Sequence, residues 1–199
     1  MHIQKYRRNE FVPLIINLIQ LYHPKTYVEI GVAEGYTFNK IIANCPEIET
    51  AVAVDINPMP NVPVDNYKVK DVCLYEMPSQ EFAKTWKDPI DMLFIDGDHN
   101  KETVEHDFFE IGKFVRTGTG LILMHDTHPV TEELLQPRFC HNAWEFADNL
   151  FEMVSTQFEM GPAHTDSNSR YFEVLTLPGP WAGMTIVRKR GNHHLAWKT

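Results

Sequence analysis

The stretch from Lys25 to Asp55, KTYVEIGVAEGYTFNKIIANCPEIETAVAVD, decides the fold. Its first part, TYVEI, is a short run rich in β-formers that ends at Gly31. Gly35 follows, and then Phe38, Ile41 and Ile42 fall at helical spacing. That is the pattern of a strand, a tight turn and an amphipathic helix. A second β-rich run, AVAVD, closes on Asp55, 24 residues after Gly31, the interval at which a βαβ unit reaches the end of its next strand. Glycine lets the backbone turn sharply and leaves room for a ligand where a Cβ would collide. An acid at the second strand end can accept hydrogen bonds from both hydroxyls of a ribose. The unit is expected to bind a nucleoside.

The loop departs from the dinucleotide pattern. A pyrophosphate loop reads GxGxxG, whereas this one reads ExGxAxG, with Glu29 two residues before Gly31 and Glu34 inside the turn. Two carboxylates there repel phosphates and suit a cation.

Upstream, Phe11, Leu14, Ile15, Leu18, Ile19 and Tyr22 share one helical face, so residues 9–22 are expected to form a helix with Asn9 as cap and Pro24 as stop. Downstream, YKVKDV, Tyr67 to Val72, alternates like a third strand ending at Asp71. Residues 78–86 read as a short helix, DMLFID as a buried parallel strand, Lys101 to Val115 as a helix and GLILMHD as the fifth strand. His141 to Phe151 reads as a helix, MVSTQFEM as strand six and AGMTIVRKR as strand seven. Alternating strands and helices predict a doubly wound, Rossmann-like α/β sheet of seven strands. It would be mostly parallel, with helices on both faces. Ligands in such sheets sit beyond the carboxyl ends of the strands.

The segment 161–182 is long for a hairpin. It is either a substrate loop, with Tyr171, Phe172 and Trp181 as walls, or a surface excursion with its own short strand at YFEVLTL.

At 199 residues, 43% apolar and 23% charged, the chain reads as a single soluble domain spanning 1–199, with no repeat or linker. A net charge of −9 argues against a nucleic-acid surface, and RKR at Arg188 to Arg190 reads as a solvated strand end. No run resembles a signal peptide or a membrane span. Cys45, Cys73 and Cys140 stand at no metal-like spacing, which suggests reduced thiols in a cytoplasmic protein.

Adjacent parallel strands would bring Asp96, His125 and Asp126 together at one sheet edge, two carboxylates and an imidazole that make a candidate site for a divalent metal. Two carboxylates with water suit Mg²⁺, and a participating His125 favours Mn²⁺, Fe²⁺ or Zn²⁺. Both acids have an alternative role as caps for loop backbone, and Asp98 reads as a cap for the following helix. His99 lies three residues after Asp96, over the same mouth. It is either a general base or a brace for the helix beginning near Lys101. His128, His164, His193 and His194 read as exposed or loop residues.

VEIGVAEG followed by AVAVD resembles the first two motifs of the class I S-adenosylmethionine-dependent methyltransferases. DMLFIDGDHNKETVEHDF and GLILMHDTHP resemble the subgroup with IDGDH after strand four and HDT after strand five. That subgroup includes metal-dependent sugar O-methyltransferases of antibiotic pathways and cephalosporin hydroxylase-like proteins. The match runs from about Val28 to Lys189 and implies an antiparallel last strand in the sheet. The resemblance implies S-adenosylmethionine as cofactor, held by Glu29, Gly31, Ala33, Gly35, Tyr36, Asp55, Ile56, Asp71 and Asp96. In such a family an acid at Asp71 reads the adenine amino group; the other reading makes Asp71 a cap or turn residue.

The resemblance also implies that Asp96, His125 and Asp126 hold the metal, that Asp96 and His99 serve catalysis, and that the acceptor is a small molecule such as a sugar or catechol. His125 stands where other metal-dependent members often have an oxygen ligand. Neither nucleic acid nor membrane is expected as a partner, and a homo-oligomer is allowed. Two further classes stay open: a metal-dependent hydrolase or hydroxylase-like enzyme, and a non-catalytic cofactor-binding module.

Overall fold

The computed structural model describes residues 11–62, 69–128, 172–177 and 183–189. The chain opens with helix α1, Val12–Tyr22, followed by strand β1, Thr26–Ile30, helix α2, Tyr36–Asn44, and strand β2, Thr50–Asp55. Next come β3, Asp71–Glu76, helix α3, Ser79–Thr85, and β4, Met92–Ile95. Helix α4, Lys101–His106, runs on into a π turn, Asp107–Ile111, and a 3-10 turn, Gly112–Phe114. Strands β5, Leu121–His125, β6, Phe172–Leu177, and β7, Met184–Lys189, complete one seven-stranded sheet of order β3-β2-β1-β4-β5-β7-β6. Strands β1 to β5 pair in parallel, and β7 lies antiparallel to both β5 and β6. This is the expected fold class.

The central strands are continuous apolar runs because both faces of the sheet are covered. On one face Ile15 and Ile19 of α1 and Phe38, Ile41 and Ile42 of α2 pack with Tyr27, Phe94 and Leu123. On the other, Phe82, Trp86, Phe108 and Ile111 pack with Val28, Val52, Leu93 and Ile122. Each such side chain contributes about 1.5–3 kcal/mol when fully buried, so Phe108→Ala should cost about 3–5 kcal/mol.

Four expectations need correction. The helix covering the sheet starts later than foreseen, with Phe11 at its N-cap and no side-chain capping bond; Asn9 lies outside the described residues. The third strand begins where it was expected to end: Asp71 pairs with Thr50, the first residue of β2. The strand offered at YFEVLTL is present as FEVLTL, but it is the sixth strand of the main sheet and not part of a surface excursion, while Met153 to Met160 lie outside the described residues, as do Tyr171, Trp181 and Cys140. Phe172 is core, its ring 5.2 Å from that of Phe108.

Within the basic triplet Lys189 is not solvated, and Arg190 lies outside the described residues. Lys189 is 1% exposed and donates its Nζ to the carbonyls of Gly112 and Lys113 at 2.9 and 3.1 Å, closing the 3-10 turn, and Arg188 pairs with Glu173. Burial pulls the Lys189 ammonium down to about 8. Cys45 and Cys73 are free thiols. No helix among the described residues is long and apolar enough to cross a membrane.

Candidate active site

Strand order reverses at β1, which lies between β2 and β4, and at such a switch point the loops diverge and leave a crevice. Gly31 and Asp96 border it. Asp96 donates its N–H to the Ile30 carbonyl at 2.8 Å. A Cβ on Gly31 would lie 2.3 Å from the Asp96 carbonyl oxygen and from Gly97 Cα, and φ there is +85°. Glycine is required here because two backbones touch, a different reason from the expected approach of a ligand. The loop continues in the left-handed region at Ala33, φ 47°, and Gly35, φ 78°.

Asp55, at the end of β2, secures this loop. Its Oδ2 accepts from the Ala33 N–H at 2.7 Å and its Oδ1 from the Asn57 N–H at 2.8 Å. Glu29 lies beneath the loop instead of lining it. It is 1% exposed and accepts from the Tyr27 hydroxyl at 2.6 Å. Burial pushes its carboxyl up to about 8, against the hydrogen bonds from Tyr27 and the Phe38 backbone. Asp71 stands at the opposite end of the sheet from Asp55, so it cannot read a purine bound beside Asp55. The residues that follow β3 at the correct end, Met77, Ser79 and Gln80, border the cavity there. They escaped the sequence reading because the strand was placed too early.

Two cavities open above the strand ends. One, of about 430 Å³, lies among Asp55, Ile56, Met77, Ser79, Gln80 and Asp107. The other, of about 740 Å³, lies among Tyr36, Lys40, His99, His125 and Asp126. Gly31, Ala33 and Asp96 belong to both walls. Ile56, 71% exposed, is an apolar ledge on the first cavity. Asp107 is 1% exposed there, its carboxyl raised by burial although Ser79 and His106 hydrogen-bond to it. It opens the π turn, a distortion frequent at functional sites.

Side chains two apart on a strand share a face. Met92, Phe94 and Asp96 therefore form one row and Leu121, Leu123 and His125 the next, so the sequence itself sends both polar side chains to the α1–α2 side. One ligand atom each from Asp96, His125 and Asp126 lies within 4.8 Å of the others. His125 Nδ1 is 3.0 Å from Asp96 Oδ1 and 3.3 Å from Asp126 Oδ1, yet it is buried and makes no hydrogen bond: the distances are short and the alignment is poor. Burial opposes charge on this ring, but the two carboxylates outweigh burial and hold its pKa well above the ordinary value. Burial likewise opposes charge on Asp126, and the His125 and His99 rings outweigh it, holding the carboxyl below the usual range.

His99 Nε2 lies 2.7 Å from Asp126 Oδ2, so the structure ties it to the end of β5. Asp98 is not the cap of α4: Asn100 is, its Oδ1 accepting from the Glu102 N–H at 3.1 Å, while Asp98 accepts from the Asn100 N–H at 3.3 Å and the Thr103 hydroxyl at 2.9 Å and braces the turn before the helix. Asp126 has φ 57°, and Thr127 anchors the turn behind it. The Thr127, Thr185 and Thr176 hydroxyls form a chain at 2.7 and 2.9 Å across β7 to β6. Thr127 was invisible as a site residue because its partners are remote in sequence.

Residues 28–127, half of the chain, match the family described as a methyltransferase domain. The chain belongs to that family. No curated protein matches the sequence. Solved structures share the fold of this methyltransferase domain at low identity. An O-methyltransferase from Bacillus cereus in complex with SAH (S-adenosylhomocysteine) is 16% identical, with TM-score 0.60 and coverage of 92% of this chain and 81% of that one. An SAH-bound methyltransferase from Podospora anserina is 18% identical, TM-score 0.61, covering 90% and 78%. The MycE methyltransferase of the mycinamycin biosynthetic pathway, in complex with Mg, SAH and mycinamycin VI, is 17% identical, TM-score 0.65. There the methyltransferase domain described here covers 95% of its own length and 52% of the other chain.

Proposed function

We propose that this methyltransferase transfers a methyl group from S-adenosylmethionine to a hydroxyl of a small molecule such as a sugar or catechol, assisted by a divalent ion. The observation that carries the reading is the shared wall: a nucleoside-sized cavity beside Asp55 and an acid–imidazole cluster meet at Gly31, Ala33 and Asp96. Methyl transfer needs donor and acceptor aligned across such a boundary. The IDGDH and HDT motifs supply the cluster, which fits the subgroup they resemble.

Asp55 would hold the ribose, Ile56 would lie against the purine, and Gly31 to Gly35 would pass under the remainder of the cofactor, with Tyr36 at its edge. When bound, the cofactor supplies a methyl group activated by a sulfonium. The residues present fit a divalent cation: two carboxylate oxygens flank an imidazole nitrogen that no hydrogen bond satisfies, an O/O/N donor set suited to Mn²⁺ and, with water, to Mg²⁺. When bound, the ion supplies a Lewis acid that acidifies an acceptor hydroxyl. His99, donating from Nε2 to Asp126, keeps its Nδ1 lone pair to accept the hydroxyl proton. Asp126 then stabilises the imidazolium. A hydrolase reading would leave Asp55 and its cavity without a task.

The test is incubation with labelled S-adenosylmethionine, with and without EDTA, against a panel of sugars and catechols. Label transfer that falls on chelation is the expected result. Absence of S-adenosylmethionine and SAH binding at millimolar concentration would overturn the reading.

A further inference from the structure

We infer that Phe11, the residue that opens α1, is a positioning residue for the His125 ring. The inference rests on the reading of Asp96, His125 and Asp126 as a metal site. The polar contacts of this imidazole are short but poorly aligned: Nδ1 lies 3.0 Å from Asp96 Oδ1 and 3.3 Å from Asp126 Oδ1 without making a hydrogen bond. Aromatic contacts add a second constraint on the ring. The Phe11 ring meets His125 at a centroid distance of 5.8 Å and 78°, and the Phe94 ring at 6.3 Å and 72°. Both are edge-to-face arrangements.

The two rings differ in origin. Phe94 comes with the sheet, paired in β4 to Leu123 of β5. Phe11 is brought from outside it, 9% exposed, at a helix N-cap where its side chain makes no capping bond. Helix stability alone would favour Ser, Thr, Asp or Asn there. An aromatic ring at this place gives up a cap and covers the imidazole, excluding water from Nδ1 and holding that nitrogen toward Asp96 and Asp126. The apolar shell of a metal site controls solvent access and ligand orientation in this way.

The experiment uses full-length protein with ¹⁵N-labelled histidine. His125 ring signals are read without metal, and Mn²⁺ affinity is read by electron paramagnetic resonance. Phe11→Ala should move the His125 ring signals and weaken Mn²⁺ binding about 10-fold or more, with SAH affinity unchanged, and Phe11→Tyr should restore both. Should Phe11→Ala not fold, Phe11→Leu, which fills the volume without a ring edge, replaces it. Ile19→Val, a core truncation elsewhere on α1, should lower Tm and leave ring signals and Mn²⁺ affinity as in wild type. Unchanged signals and affinity in Phe11→Ala, or an equal loss in Ile19→Val, would overturn the inference. If wild-type protein binds no Mn²⁺, the metal reading alone fails. The metal-free ring signals then still decide the role of Phe11, a change supporting it and constancy overturning it.

Discussion

His99 Nε2 and Asp126 Oδ2 stand 2.7 Å apart at the mouth of the cleft, joining the loop after β4 to the turn after β5. An imidazole so oriented has one nitrogen committed and one available. His99→Ala should lower kcat by roughly 10²-fold and leave SAH affinity unchanged. A merely structural residue would lower Tm and keep near-wild-type kcat.

The metal reading makes a selective pattern. His125→Ala and Asp126→Ala should remove stimulation of turnover by Mg²⁺ or Mn²⁺ while SAH affinity, by calorimetry, stays nearly intact. Asp96→Ala should weaken both, because Asp96 borders both cavities. Full activity after exhaustive chelation would remove the ion from the mechanism.

Asp55→Ala should weaken SAH binding by about 1.5–3 kcal/mol, the range for hydrogen bonds to a charged group. It should also lower Tm without ligand, since the Ala33 and Asn57 N–H groups lose their acceptor. Unchanged SAH affinity would exclude Asp55 from the site.

Glu29 sets a pH dependence. Its carboxyl titrates near 8 in the fold against an ordinary value of 4.5. Between those values the unfolded chain has released the proton and the folded chain retains it, so this residue lowers stability as pH rises. The loss is absent below the lower value and complete above the upper. Glu29→Gln cannot ionise, so Tm of the variant relative to wild type should climb from pH 4.5 to 8. A constant difference would mean that Glu29 is ionised throughout.

Gly31 and Ala33 predict opposite signs. Gly31→Ala drives a Cβ into the backbone of Asp96 and Gly97 and should destabilise by about 2–5 kcal/mol. Ala33→Gly relieves a left-handed alanine and should stabilise by about 0.5–1 kcal/mol, after the entropy gained by the unfolded chain is subtracted. Chemical denaturation reads both.

The βαβ unit from Lys25 to Asp55 was legible because every level agreed: glycine at the turn, apolar spacing in the helix, an acid at the strand end. Asp96, His125 and Asp126 were legible for a related reason, since parallel pairing of two apolar runs leaves little freedom in where they end. Asp71 was misplaced because Lys68 and Lys70 alternate with Tyr67 and Val69 in the sequence, a pattern that reads as a strand ending at Asp71, whereas the observed strand begins there. That strand lies at the sheet edge, where part-buried residues give weak periodicity. The edge-on contact of Phe11 with His125 had no local signal, because it depends on how α1 docks. Glu29 looked like a ligand contact, and only the pleat shows that it faces inward beside Tyr27.

The common wall of the two cavities implies thermodynamic linkage. Whatever factor a cofactor imposes on Mn²⁺ affinity, Mn²⁺ must impose the same factor on the cofactor. The sign is set by charge. On the proposed reading, a sulfonium beside Asp96 would compete with a divalent ion for the same carboxylate, and the neutral thioether of SAH would not. Mn²⁺ should therefore discriminate between the two forms, favouring SAH. Donating the methyl group would tighten the grip on the ion, so the spent enzyme, not the loaded one, would be the better metal binder.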